Sequence, residues 1–209
     1  MPKGKPQAKY VRFTEELNAL DYLQEAYEAT RRVSRDRTAW KWVVIGLHGA
    51  LYSFAICALK GTDWTRVTRP GTRKLIVFDE AIKRCQSNAW MTQTVHSRPI
   101  HMTPEQTEAI RFLKRIRNQL EHYVPLAWNV EEHDLALSAI DALEVVHSLA
   151  LDTGNVRLDG PQRQTVETLT RKGKELVQSC QLYKDYTAAQ KRKQRKGNPP
   201  EAPSFTERE

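Results

Sequence analysis

Cysteine is scarce in this chain. Cys57, Cys85 and Cys180 are the only three in 209 residues, far apart and odd in number. No two of them form a CxxC pair, which argues against a disulfide framework and a cysteine-rich zinc site and suits a reducing, cytoplasmic setting. Strand signals are missing as well. No stretch alternates convincingly between apolar and polar residues, and no two such runs are joined by a hairpin turn. There is no internal repeat. A Walker A loop, GxGxxG, GxSxG and HExxH are all absent, so most familiar enzyme classes lack a sequence handle. The first residues, Met1-Pro-Lys-Gly-Lys-Pro, carry charge without an apolar core, and no signal peptide is expected.

Positive charge is abundant. Lys and Arg number 33 against 25 Asp and Glu, giving a net charge of +8, and the pI is near 9.5. That balance favours a polyanionic partner, nucleic acid being the commonest, over an inert basic surface. Two basic runs, at 31–37 and 191–196, read as solvated surface or as phosphate contacts. Only Trp42 to Leu59 is hydrophobic enough to raise a membrane question. It contains Gly46, His48, Gly49 and Ser53, with Lys41 and Lys60 at its flanks, and reads as a buried central helix, not a membrane span.

Helical periodicity accounts for most of the chain. Residues 1–12 read as a flexible basic arm, 13–190 as one helical domain, and 191–209 as a basic, disordered tail. The first helix runs from a Thr14 cap to about Thr30, and the second from Thr38 to Lys60. Gly46, Gly49 and Ser53, spaced by three and four, share a face that would let another helix approach closely. His48 on that helix reads as a hydrogen-bonded core residue or, less simply, a ligand. A third helix is expected over 74–91, a fifth from Asn129 or Glu131 to Asp152, and a sixth over 162–195. His133 and His147 read as surface or packing residues. His96 and His101 share a loop without acidic or cysteine partners at a familiar ligand spacing, so no metal and no cofactor is expected. The fold class is all-α, a bundle of about six helices.

The fourth helix, from Thr103 to about Tyr123, carries the strongest local signals. Thr103 with Gln106 three residues later forms a capping box, and Pro104 suits the first turn. Ile110, Phe112, Leu113, Ile116, Leu120 and Tyr123 fall on one side of the wheel, and Val124-Pro125 ends it. Arg111, Arg115, Asn118 and His122, spaced by four, three and four, make a polar stripe. Arg117 lies at the other margin of the apolar face, roughly 140° from His122 on an ideal helix.

At Arg117-Asn118 and His122 the chain resembles the HEPN family of helical nucleases, whose signature is an arginine, commonly followed by a polar residue such as asparagine, then four to six residues, then histidine, near a helix end. The stretch Ala39-Trp40-Lys41-Trp42, and that from Thr103-Pro104-Glu105-Gln106 through His122 to Trp128, are similar to bacterial single-domain members. The resemblance spans about residues 13–150. It implies a HEPN-like bundle, a homodimer in which two motif helices face each other across a composite cleft, and metal-independent RNA cleavage through the 2′-hydroxyl. It also implies a toxin or phage-defence role, with an antitoxin protein as a possible partner, or an inactive member that only binds.

The residue chemistry points the same way. Histidine is the residue type suited to proton transfer near neutrality, which fits His122 to that role, and Arg117 can clamp a phosphate with two parallel hydrogen bonds. Asn118 would orient the imidazole or the phosphate, while Arg111 and Arg115 would lengthen the RNA-binding track. The bland alternative is an ordinary ion pair from Arg117 to Glu121 and a C-terminal cap made by Asn118 and His122.

Overall fold

The computed structural model describes residues 10–122 and 127–195. These residues form eight α-helices, with no strand and only an isolated antiparallel bridge between Thr68 and Leu75. The all-α expectation is met. The count rises from about six to eight because two of the expected helices are each broken in two.

Helix α1 (Glu15–Arg32) starts where Thr14 accepts the Leu17 backbone N–H (3.2 Å), and it buries the small stripe Ala19, Leu23, Ala26 and Ala29. Helix α2 (Trp40–Lys60), entered through a 3-10 turn at Arg37–Ala39, is the centre of the fold. It touches α1 and four other helices and is buried nearly all round. Phe54, Leu47, Leu51 and Leu59 are almost fully enclosed, and each contributes about 1.5–3 kcal/mol by leaving water. Among the described residues α2 is the single helix long and apolar enough to cross a membrane, and 72% of its most apolar window is buried inside the bundle.

The small-residue face of α2 meets α1. A Cβ placed on Gly46 would lie 2.8 Å from the Ala26 backbone nitrogen, and one on Gly49 would lie 2.4 Å from the Tyr22 ring. Ser53 continues the face by accepting a hydrogen bond from the Asn18 amide (2.9 Å). The two glycines weaken an isolated helix, but here they permit the close crossing that buries the alanines of α1.

The helix expected over 74–91 is broken in two and begins late. Ile76 lies ahead of the helix, where its N–H donates to the Val67 carbonyl and its own carbonyl accepts the Tyr52 hydroxyl. Helix α3 (Phe78–Cys85) follows, then a break at Gln86 and Ser87, then the short α4 (Asn88–Met91). Six residues of unbroken helix would put Cys85 and Met91 roughly 240° apart, on different sides. The break turns Met91 back inward, and both side chains are fully buried. Trp90 is half-buried at the edge of the core, and the Arg84 guanidinium lies over it, 3.9 Å from its ring centre.

Helix α5 (Pro104–Glu121) follows its expected limits, with the Thr103–Gln106 capping box formed in both directions. It packs against α6 (Glu132–His147) and α2. A π-helical turn at Ser148–Asp152 extends α6, and Gly154 (φ 74°) closes it in the left-handed region that favours glycine. The long helix expected from Gln162 is two helices, α7 (Gly160–Ser179) and α8 (Gln181–Arg195), separated at Cys180 by extended backbone (φ −67°, ψ 147°). The buried stripe Val166, Leu169, Gly173 and Val177 runs out there, and Ser179 Oγ turns back to the Leu176 carbonyl. The break lets α8 pack back onto α6. Residues 1–9 of the expected arm and 196–209 of the expected tail lie outside the described residues, as does Val124-Pro125.

The three cysteines are free thiols. Burial pushes the Cys57 thiol up to about 12 and raises Cys85 further, so both stay protonated as apolar packing groups.

Candidate functional site

The C-terminal half of α5 borders two separate clefts. One is a cavity of about 270 Å³ between α1, α2 and α5, lined among others by Asn18, Tyr22, His48, Tyr52, Arg117 and Glu121. The other is a groove of about 710 Å³ between α5 and α3, lined among others by Lys83, Arg111, Lys114, Arg115 and Asn118. The angular separation read from the helical wheel thus becomes two sides of one helix. Arg117 faces the first cleft, and the Arg111–Arg115–Asn118 stripe lines the second.

A hydrogen bond joins the two sides. Arg117 Nη1 donates to Asn118 Oδ1 (3.2 Å), and Arg117 Nη2 lies 2.5 Å from Glu121 Oε2. The ion pair to Glu121 that the spacing allowed is therefore formed, and the guanidinium is half-buried. His122 sits apart. It is the C-cap residue (φ −107°, ψ 61°), its backbone N–H donates to the Asn118 carbonyl (2.9 Å), and its imidazole is exposed. The helix end is capped through the His122 backbone.

The residues of the expected RNA track have partners within the chain. Arg111 lies 3.6 Å from Glu108, Lys114 pairs with Asp79 at 2.5 Å, and the Arg115 guanidinium lies 5.4 Å from the Phe112 ring centre. The basic connector after α1 is engaged too, since Arg31, Arg32 and Arg37 sit against Glu28, Glu25 and Glu132. The side chains of the basic run at 191–196 lie outside the described residues.

His48 is the residue whose place the sequence concealed. It is 8% exposed and lies in the wall of the Arg117 cavity, stacked on Phe78 with ring centres 4.3 Å apart. Burial pushes its pKa down to about 4, the positive charges of Arg117 and Lys114 push the same way, and the Asp79 carboxylate opposes them. The imidazole is thus neutral at physiological pH and held in the core by an aromatic stack. Tyr22, Tyr52 and Asn18 also join the cavity without any signal in the α5 motif, because α1 and α2 reach it only through tertiary packing. His96 and His101 are exposed, and among the described residues neither joins a cluster of ligand type.

Chemically, the helix end offers a half-buried guanidinium bonded to an amide, an exposed imidazole, and a neighbouring groove lined by cations. No family model matches the sequence, and neither a curated protein nor a solved structure matches it.

Proposed function

We propose that the chain is a metal-independent endoribonuclease that acts as a homodimer, with a composite active site built from two copies of the α5 end. The observation that carries this reading is the coupling of Arg117 to Asn118 beside an exposed His122 at the helix terminus. In the reaction, His122 of one protomer takes the 2′-hydroxyl proton. The 2′-oxygen attacks phosphorus, and the 5′-oxygen leaves with a proton from the second His122. The products are a 2′,3′-cyclic phosphate and a 5′-hydroxyl. Arg117 holds a non-bridging oxygen as charge builds, and Asn118 orients it. Arg111 and Arg115, in the neighbouring groove, guide the backbone. One copy offers a single motif imidazole, so an acid and a base together require the dimer. A toxin or phage-defence effector in the cytoplasm, restrained by an antitoxin protein, is the setting this activity fits.

Purified protein is expected to cut RNA in EDTA and leave cyclic phosphate ends, and Arg117→Ala or His122→Ala should abolish the cutting. Cutting that survives both substitutions would sink the assignment.

A second reading, a non-catalytic dimer that binds RNA or a protein, draws on the Arg117–Glu121 pair, which occupies the phosphate clamp with an internal carboxylate. Salt-sensitive RNA binding with no product after long incubation would select it.

A further inference from the structure

Helix α6 opens on Glu131, His133 and Asp134, and these residues converge in a way their sequence spacing does not advertise. His133 Nε2 lies 3.2 Å from Glu131 Oε2 and 3.2 Å from Asp134 Oδ1, and the three atoms all fall within 4.8 Å of one another. Two donors on a tetrahedral zinc ion at its usual bond lengths stand roughly 3.3 Å apart. The two separations from His133 match that figure, and the carboxylate pair lies within 4.8 Å.

A second, independent feature points to a ligand. Asp134 is only 6% exposed, and its Oδ1 is buried without a hydrogen-bond donor, although the imidazole is near it. Burial holds the Asp134 carboxyl above its ordinary range, and Glu131 adds to this, against the charges of His133 and Arg115. Buried polar atoms are normally satisfied, so an orphan oxygen aimed at an imidazole nitrogen needs something between them. A proton on His133 is one answer, and a metal ion answers for all three atoms.

The surroundings suit an ion. Glu131 is the N-cap of α6 but makes no side-chain capping bond, which leaves its carboxylate for another use. Tyr186 of α8 stacks on the His133 ring (centroids 5.1 Å apart, planes 14° apart) and fixes the imidazole plane. Glu131 is exposed and His133 half-buried, so water can complete the coordination. Two carboxylates and a neutral imidazole balance a divalent charge. The positive end of the α6 dipole opposes the ion with only about half a charge.

We propose that Glu131, His133 and Asp134 bind one divalent transition-metal ion of the zinc type, a site that ties the start of α6 to α8 through Tyr186. Mixed imidazole and carboxylate donors favour zinc over magnesium, which prefers oxygen ligands in octahedral geometry and holds on to its waters. The site is separate from the proposed RNA chemistry, which needs no metal.

The test uses the full-length, tag-free chain, stripped with EDTA and dialysed, then titrated with zinc chloride by calorimetry. Bound zinc is counted by atomic absorption after gel filtration, and folding is checked by circular dichroism. The expected result is one zinc per chain and a raised melting temperature. Retention should fall at least tenfold in His133→Ala and in the near-isosteric Asp134→Asn, and stay at one in a His96→Ala/Cys180→Ser control. Magnesium chloride should give no saturable heat. No retained zinc in the wild type, full retention in His133→Ala and Asp134→Asn, or loss confined to the control would each overturn the proposal. RNA cleavage in EDTA is read separately, so either idea can fail without the other.

Discussion

Arg117 sits 2.5 Å from Glu121, one turn further along α5, while the same guanidinium donates to Asn118. The residue proposed to hold a phosphate is therefore already held by a carboxylate on its own helix. A phosphate must compete with that partner. Both side chains are about one-third exposed, so the pair is worth only about 0.2–1 kcal/mol.

Glu121→Gln should consequently strengthen RNA binding by roughly twofold to fivefold and cost less than about 1 kcal/mol of stability. Fluorescence anisotropy with a labelled RNA at low salt would measure it. Weaker binding would mean that Glu121 contributes to the site instead of competing for Arg117.

His122→Ala should lower RNA cleavage by about a hundredfold or more, the usual worth of a general acid or base. Because the imidazole is exposed, the stability change should stay within about 0.5 kcal/mol. Single-turnover rates together with urea melts would separate the two effects. A parallel loss of folding would assign His122 to structure.

Gly46→Ala should destabilise the fold by about 1–3 kcal/mol, because the new methyl would meet the α1 backbone and not a movable side chain. Gly49→Ala should cost less, since the Tyr22 ring can shift. Gly160→Ala, with nothing within 4 Å of its Cβ, serves as the neutral comparison. Urea midpoints for the three variants give the ranking, and equal values for Gly46 and Gly160 would refute the close crossing.

His48 should make stability pH-dependent. Its pKa falls from 6.5 to about 4 on folding, so the unfolded chain takes up the proton first. Stability is then fully present above the unfolded value and is lost as pH falls from 6.5 toward 4, on the order of 3 kcal/mol at most. Asp141 acts in the opposite sense. Burial first, then Glu144 and Glu105, raise its carboxyl from 3.8 to about 6, so its contribution is lost as pH rises across that range. His48→Gln should flatten the rise in stability between pH 4 and 6.5, and Asp141→Asn should steepen it. Chemical denaturation at several pH values would show whether the slopes change in those directions.

Several local features of the structure were legible in the residues themselves. The capping box at Thr103 and Gln106, the apolar spacing of α5 and the glycine face of α2 depend on neighbours within a few positions, and the fold keeps each of them. The segment 74–91 has helical spacing, but its backbone is claimed from outside, at Ile76 by Val67 and Tyr52. The break at Ser87 answers to the core's need for Met91, which no local window contains. The break at Cys180 has a related cause, since a polar helix with a thinning stripe carries little information about where it turns.

The candidate site divides along the same line. The sequence by itself determined an all-α chain, a basic balance and an arginine, asparagine and histidine at the end of one well-capped helix. Spacing along a helix is a local property, and charge is a sum over composition. Only the tertiary structure decided which cleft each of those residues faces, that Glu121 claims Arg117, that His48 is stacked on Phe78 in the Arg117 cavity, and that Tyr186 lies on His133 beside the buried Asp134. Those relationships join residues dozens of positions apart or choose among rotamers, and packing, not periodicity, selects them.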